Sequence, residues 1–246
     1  MDLNTDRGRT TILSGLNLDI GEGEFVSVMG RSGAGKTTLL RLLGGLLPPS
    51  RGSRVTFKGK PVEGPPNGVV IVFQSYGSSL LPWRTVEKNV ALGIEGRVPR
   101  GERRRRVDEA LEMVGLTGRA EDCPWRLSGG MQQRVQIARA LAMRPSVLLM
   151  DEPFGALDAL TKSSLEDELL KVYERTGATV VFVTHDIDEA VYLSDRVLVL
   201  QGDPARLGEE VTVDCPRPRD QLRTKESEEF LKARHKVYQS IRTPDG

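Results

Sequence analysis

Eight residues, Gly30-Arg31-Ser32-Gly33-Ala34-Gly35-Lys36-Thr37, constrain this chain more than any other stretch. They match G-x-x-x-x-G-K-[ST] at every fixed position. Residues 24–29, Glu-Phe-Val-Ser-Val-Met, form a short apolar run before them that reads as a buried strand. After them, Leu39, Leu40, Leu42, Leu43, Leu46 and Leu47 recur at helical spacing over 36–47, until Pro48-Pro49. Strand, glycine-rich turn and helix together present backbone N–H groups and a helix N-terminus to an anion. Gly30, Gly33 and Gly35 let the backbone wrap inward. Lys36 supplies a point charge for β and γ phosphates, and the Thr37 hydroxyl is a hard oxygen suited to Mg2+. Arg31, Ser32, Ala34 and Thr38 complete the candidate nucleotide loop.

Further strands are predicted at Val69–Phe73, Val147–Met150, Thr179–Val183 and Val197–Leu200, with helices over 161–175 and 187–193. Apolar strands separated by helices imply a parallel sheet covered on both faces. Residues 53–63, where Val55 and Phe57 alternate with polar residues near Gly59, read as an antiparallel hairpin. The rhythm breaks over 85–144, with helical patterns around 85–93, 102–115 and 131–143 and no strand. The expected fold class is therefore α/β: a P-loop NTPase (RecA-like) core with an antiparallel β subdomain and an inserted α-helical subdomain at about 79–144. Residues 1–246 read as a single nucleotide-binding domain, with 216–246 as a short tail carrying a helix over 226–241.

Bulk properties exclude several classes. The net charge is +1 with 28% charged residues, so no nucleic-acid footprint dominates, and the run Arg103–Arg106 reads as a solvated helix face. Cys123 and Cys215 are too few for a disulfide scaffold. No signal peptide and no apolar stretch approaching the ~20 residues of a membrane span is visible. A soluble protein is expected, with any membrane role coming through a partner.

Residues 147–152, Val-Leu-Leu-Met-Asp-Glu, are an apolar strand ending in two carboxylates. Ligands collect at the carboxyl ends of parallel strands. Asp151 is placed to hold Mg2+, directly or through water, and Glu152 to polarise a water for in-line attack on a γ phosphate. His185 follows the strand 179–183 and is a candidate contact to that phosphate. Standing alone it would be an ordinary surface or capping histidine, and its spacing from the other motifs favours the role. Gln74, after Val69–Phe73, is a candidate for Mg2+ and the water. His235 receives no role.

Residues 127–134, Leu-Ser-Gly-Gly-Met-Gln-Gln-Arg, open a helix running to about Met143. Ser128 suits an N-cap, and Gly129 and Gly130 expose backbone donors. This is a second anion-binding helix end. One nucleotide has little use for two such ends from one chain, which points the second at a neighbour's nucleotide. A capped helix with no ligand is the alternative.

With the loop at 30–38, Gln74, Leu127–Arg134, Leu148–Asp158 and Thr184-His185-Asp186 in this order, the chain resembles the ATP-binding subunits of ABC transporters over roughly residues 10–215. The resemblance implies ATP and Mg2+ as cofactors and ATP hydrolysis with Glu152, His185 and Lys36 as catalytic residues. It also implies a head-to-tail dimer with a second ATPase chain, an identical copy being expected. Each ATP would lie between one chain's loop and the other's Ser128, Gly129, Gly130 and Gln132, with Asp158 in the loop after the acidic pair. Met131 stands where the family usually has Gln. Residues 72–93, with Leu80-Leu81-Pro82-Trp83, are similar to the importer branch for nitrate, sulfonates, taurine and bicarbonate. The same branch holds importers of pyrimidine-type vitamin precursors. In this branch Leu81 and Trp83 either line the groove for the transmembrane permease or pack inside the helical insertion. The permease and a periplasmic or lipid-anchored solute-binding protein would select the substrate, and the implied location is peripheral, on the cytoplasmic face of the cell membrane. One departure concerns adenine. The family usually stacks an aromatic residue on the base, but the equivalent position here is Arg7, and no Phe, Tyr or Trp precedes Phe25. Either the true start lies upstream or the Arg7 guanidinium stacks instead.

Three rivals fit less well. A soluble non-transport ABC ATPase acting on DNA or ribosomes would usually bring two nucleotide domains or a long coiled coil. An export ATPase is disfavoured by Leu80–Trp83. A P-loop kinase would lack the Ser128–Gly130 motif.

Overall fold

A computed structural model describes residues 2–5, 8–74, 79–155 and 157–242. In chain order the strands and helices are β1 (Asp2–Thr5), β2 (Gly8–Thr11), β3 (Phe25–Gly30), α1 (Lys36–Leu43), β4 (Thr56–Phe57), β5 (Lys60–Pro61) and β6 (Val69–Val72). Then come α2 (Val86–Ala91), α3 (Arg100–Met113), α4 (Gly129–Ala142), β7 (Val147–Asp151), α5 (Ala159–Thr176), β8 (Thr179–Val183) and α6 (Ile187–Leu193). The chain continues through β9 (Arg196–Gln201), β10 (Arg206–Thr212), α7 (Arg223–Glu226) and α8 (Glu228–Arg242).

Six strands make the central sheet in the order β10-β9-β3-β8-β7-β6. β9, β3, β8, β7 and β6 are parallel, while β10 pairs antiparallel with β9 at the edge. The hairpins β1–β2 and β4–β5 lie outside that sheet. Alternate side chains of each strand leave on opposite faces. Val26, Val28, Leu149, Val181, Val183, Leu198 and Leu200 meet Leu39, Leu40 and Leu42 of α1. Phe25, Met29, Val72, Leu148, Met150, Phe182 and Val199 meet the larger helical layer built from α2 to α6 and α8. Aromatic rings tie this second face together: Phe25 meets Tyr173 edge-on at 5.2 Å and Phe182 at 6.0 Å. Both faces are covered, which is why the strands read as nearly unbroken apolar runs.

Three features differ from the sequence expectations. The first helix ends at Leu43, not at 47. Gly45 turns left-handed at φ 68 and the Leu46 N–H folds back to Arg41 O at 2.8 Å, which closes the helix, while Gly44 leaves room for Ile71 of β6 to pack against its end. The sheet also has an antiparallel edge strand, β10, that no pattern announced. Finally, β1 and β2 form an antiparallel hairpin near the start of the chain, where no element was expected. Arg7, the candidate for stacking on adenine, lies outside the described residues.

Between β6 and β7, α2, α3 and α4 pack against one another. The tail is fastened to the helical layer through Arg219, whose buried guanidinium donates to the carbonyls of Val191, Tyr192 and Ser194 at the end of α6. Among the described residues no helix is long and apolar enough to cross a membrane.

Candidate nucleotide-binding and hydrolysis site

β3 ends at Gly30 and α1 begins at Lys36, so the loop between them sits at the carboxyl edge of the sheet. Gly33 and Gly35 adopt φ 84 and φ 75, a left-handed backbone that glycine enters freely. Gly35 is needed twice over, because a Cβ there would stand 2.7 Å from Ile12 and 2.8 Å from Leu13. Arg31, Ser32 and Gly33 are exposed at the mouth, Ala34 and Gly35 are half-buried, and Thr37 and Thr38 follow, half-buried, on α1. Lys36 Nζ folds back over the loop and donates to Gly30 O at 2.9 Å and Arg31 O at 3.1 Å. Its charge therefore lies within the curl of the backbone.

β7 brings its terminal carboxylate to the same edge. The Thr37 hydroxyl donates to Asp151 Oδ1 at 3.2 Å. Burial pushes the Asp151 carboxyl above its ordinary range; the Thr37 hydrogen bond opposes this and the Glu152 charge adds to it. Glu152 carries φ 45, unusual for a residue with a Cβ, and its N–H donates to Val183 O at 2.9 Å. One oxygen, Oε2, collects two neighbours: Gln74 Nε2 at 3.3 Å and His185 Nδ1 at 3.2 Å. Gln74, Glu152 and His185 come from the ends of three adjacent strands, β6, β7 and β8, and the parallel register makes them meet.

The second glycine-rich helix end is α4. Ser128 caps it by accepting from Met131 N at 3.3 Å. Ser128 and Gly129 are exposed, whereas Gly130 is buried against Thr161 and Leu157. Gln132 turns its amide inward to Pro124 O and Leu127 O, so it braces the turn before the helix. Asp158 caps α5 by accepting from Thr161 N at 3.1 Å.

The ABC transporter family profile matches residues 13–155. The chain belongs to that family. A bicarbonate transport ATP-binding protein of Synechococcus elongatus, CmpD, is 48% identical over 94% of this chain and 84% of its own length. A nitrate import ATP-binding protein of the same organism, NrtD, is 44% identical over 94% of this chain and 84% of its own length. A solved dimeric ATP-binding cassette in a post-hydrolysis state, bound to ADP and Pi, matches with a TM-score of 0.73 and 35% identity, covering 86% of this chain and 94% of that one. This chain is accordingly an ATP-binding cassette and an ATPase.

In this ABC cassette the Leu80–Trp83 stretch leads into α2. Leu80 is buried, Leu81 is half-buried and Trp83 is 75% exposed. Of the two readings for Leu81 and Trp83, packing inside the helical layer does not hold for Trp83, which faces outward, while Leu81 is half-buried and the buried neighbour is Leu80. Sequence reasoning passed over the groups that hold this stretch in place. Asn89 exchanges hydrogen bonds with the Leu81 backbone. Arg139 of α4 donates to Ser79 O, Asn89 O and Asn89 Oδ1, and Gln136 donates to Phe73 O. The helix that opens with Ser128 thus grips both flanks of the segment that follows Gln74. Their signal was faint, because a polar residue on a helix face carries no motif.

Proposed function

We propose that this cassette works as a dimer with a second copy, closing on two ATP molecules to energise uptake of a small oxyanion through a separate permease. The observation that carries the hydrolytic part is the convergence of Gln74 and His185 on Glu152 Oε2, beside the Thr37–Asp151 pair. The loop N–H groups and Lys36 bind the phosphates. Thr37, Asp151 and Gln74 would hold Mg2+, which takes hard oxygen ligands and shares them with phosphate and water. The oxygens present fit that preference, and the raised Asp151 pKa marks a carboxylate whose charge gains from a nearby cation. When bound, the ion offsets negative charge on the phosphates. His185 and Gln74 steady Oε2, so Oε1 accepts a proton from the water that attacks the γ phosphorus in line. The bond to the β–γ bridging oxygen breaks, and ADP and phosphate result.

The exposed ends at Ser128 and Gly129 support a role toward the nucleotide of a partner copy, with Asp158 in the neighbouring turn. The exposed Trp83, beside Leu81, supports a permease contact, and a solute-binding protein would deliver the substrate outside. The working position is then the cytoplasmic face of the cell membrane. Bicarbonate and nitrate, named for the two relatives, are both small planar oxyanions, and that is the substrate class we assign. Replacing Glu152 by Gln tests the chemistry. ATP turnover is expected to fall by about 10²-fold or more with ATP binding retained. Wild-type turnover in that variant would remove Glu152 as the base.

A further inference from the structure

Behind His185 lies a second polar cluster. Lys162 Nζ stands 2.6 Å from Asp186 Oδ2 and 2.6 Å from Glu189 Oε1. Glu189 is 4% exposed. The Thr184 hydroxyl donates to the Glu189 carboxylate and accepts the Asp186 N–H at 3.0 Å. Asp186 Oδ1 accepts from Asp188 N at 2.8 Å and Glu189 N at 3.2 Å, capping α6. The residues on both sides of His185 are therefore held by groups that converge on one ammonium. Burial works against the Lys162 charge, but its hydrogen bonds to Asp186 and Glu189 raise its pKa above the ordinary lysine value. Without that ammonium a buried carboxylate would lose its counter-charge, a much larger loss than for an exposed ion pair.

We propose that Lys162 is a positioning residue for His185. The proposal rests on the reading that His185 serves the γ phosphate and steadies Glu152. Lys162 lies in the first turn of α5, which begins at the Asp158 cap. The same turn carries Thr161, against which Gly130 of α4 is packed. Lys162 thus fastens the His185 loop to a turn that also abuts the start of α4. Its three N–H donors and flexible stem suit two carboxylates at different angles.

The test is steady-state ATP turnover of Lys162→Met and Lys162→Arg, with Lys162→Met repeated in a His185→Ala background. A small displacement of a reacting group can cost up to about 10²-fold. Lys162→Met is expected to lose about tenfold or more in kcat, with KM for ATP within about twofold. Lys162→Arg, which keeps the charge and its donors, is expected to retain most of the rate. In the His185→Ala background, Lys162→Met should add no further loss, because residues acting through one another are non-additive. Should the Met variant fail to fold, Lys162→Gln carries the same expectations. An equal fractional loss in both backgrounds, or full activity of Lys162→Met, would overturn the proposal. Wild-type turnover in His185→Ala alone would overturn the reading of His185 and the proposal with it, which separates that failure from the others.

Discussion

Glu152 holds a left-handed backbone at φ 45, a conformation that costs a residue with a Cβ about 1–3 kcal/mol. The strain persists because Val183 fixes its N–H and because Gln74 and His185 hold its carboxylate. Asp151 is strained electrostatically instead. Its pKa is raised chiefly by burial, so the folded state binds a proton more readily than the unfolded chain. Its ionisation therefore costs stability as pH rises through the raised pKa, and below the unfolded value the effect vanishes. Asp151→Asn should accordingly raise the melting temperature of nucleotide-free protein at neutral pH, with the gain shrinking as pH falls into the carboxylate range. A lower melting temperature at neutral pH would contradict this. Gly35→Ala combines φ 75 with contacts of 2.7 and 2.8 Å, and should destabilise by about 1–3 kcal/mol in denaturant unfolding. Residues such as Lys36, Thr37 and Asp151 were legible because phosphate and Mg2+ chemistry admits few residue types at that spacing. Lys162 was not, because its partners Asp186 and Glu189 become neighbours only when α5 packs beside α6.

At the scale of elements, the buried strands of the central sheet could be read directly, since each is apolar on both faces. β10 escaped because it is an exposed edge: Glu209 and Glu210 face solvent, and the ladder slips between Leu207 and Glu209. The end of α1 escaped because its leucine pattern continues, while the left-handed Gly45 stops the helix. Arg139 is the cross-element tie with the largest consequence. It joins α4 to Ser79 and Asn89 through three hydrogen bonds from a charged guanidinium, and hydrogen bonds to a charged group contribute about 1.5–3 kcal/mol each. Arg139→Leu should then lose at least about 2 kcal/mol of unfolding free energy. A loss under about 1 kcal/mol would mean that water replaces those bonds.

For the whole molecule, the two glycine-rich helix ends lie on separate elements of one chain. α1 opens beside Asp151, whereas α4 opens at Ser128 among the turns that precede α5. That separation underlies the proposal that each chain holds half of each site. The exposed Trp83 adds a second expected contact: Trp83→Ala should weaken co-purification with the permease while leaving the melting temperature near wild type. Retention of the permease by that variant would place the contact elsewhere. The most direct test of the central claim is the mass of Glu152→Gln in solution with ATP and Mg2+, by light scattering. A dimer that forms with ATP, and fails to form when Ser128→Arg is added, is the predicted result. A Glu152→Gln chain that binds ATP and remains a monomer would contradict the account.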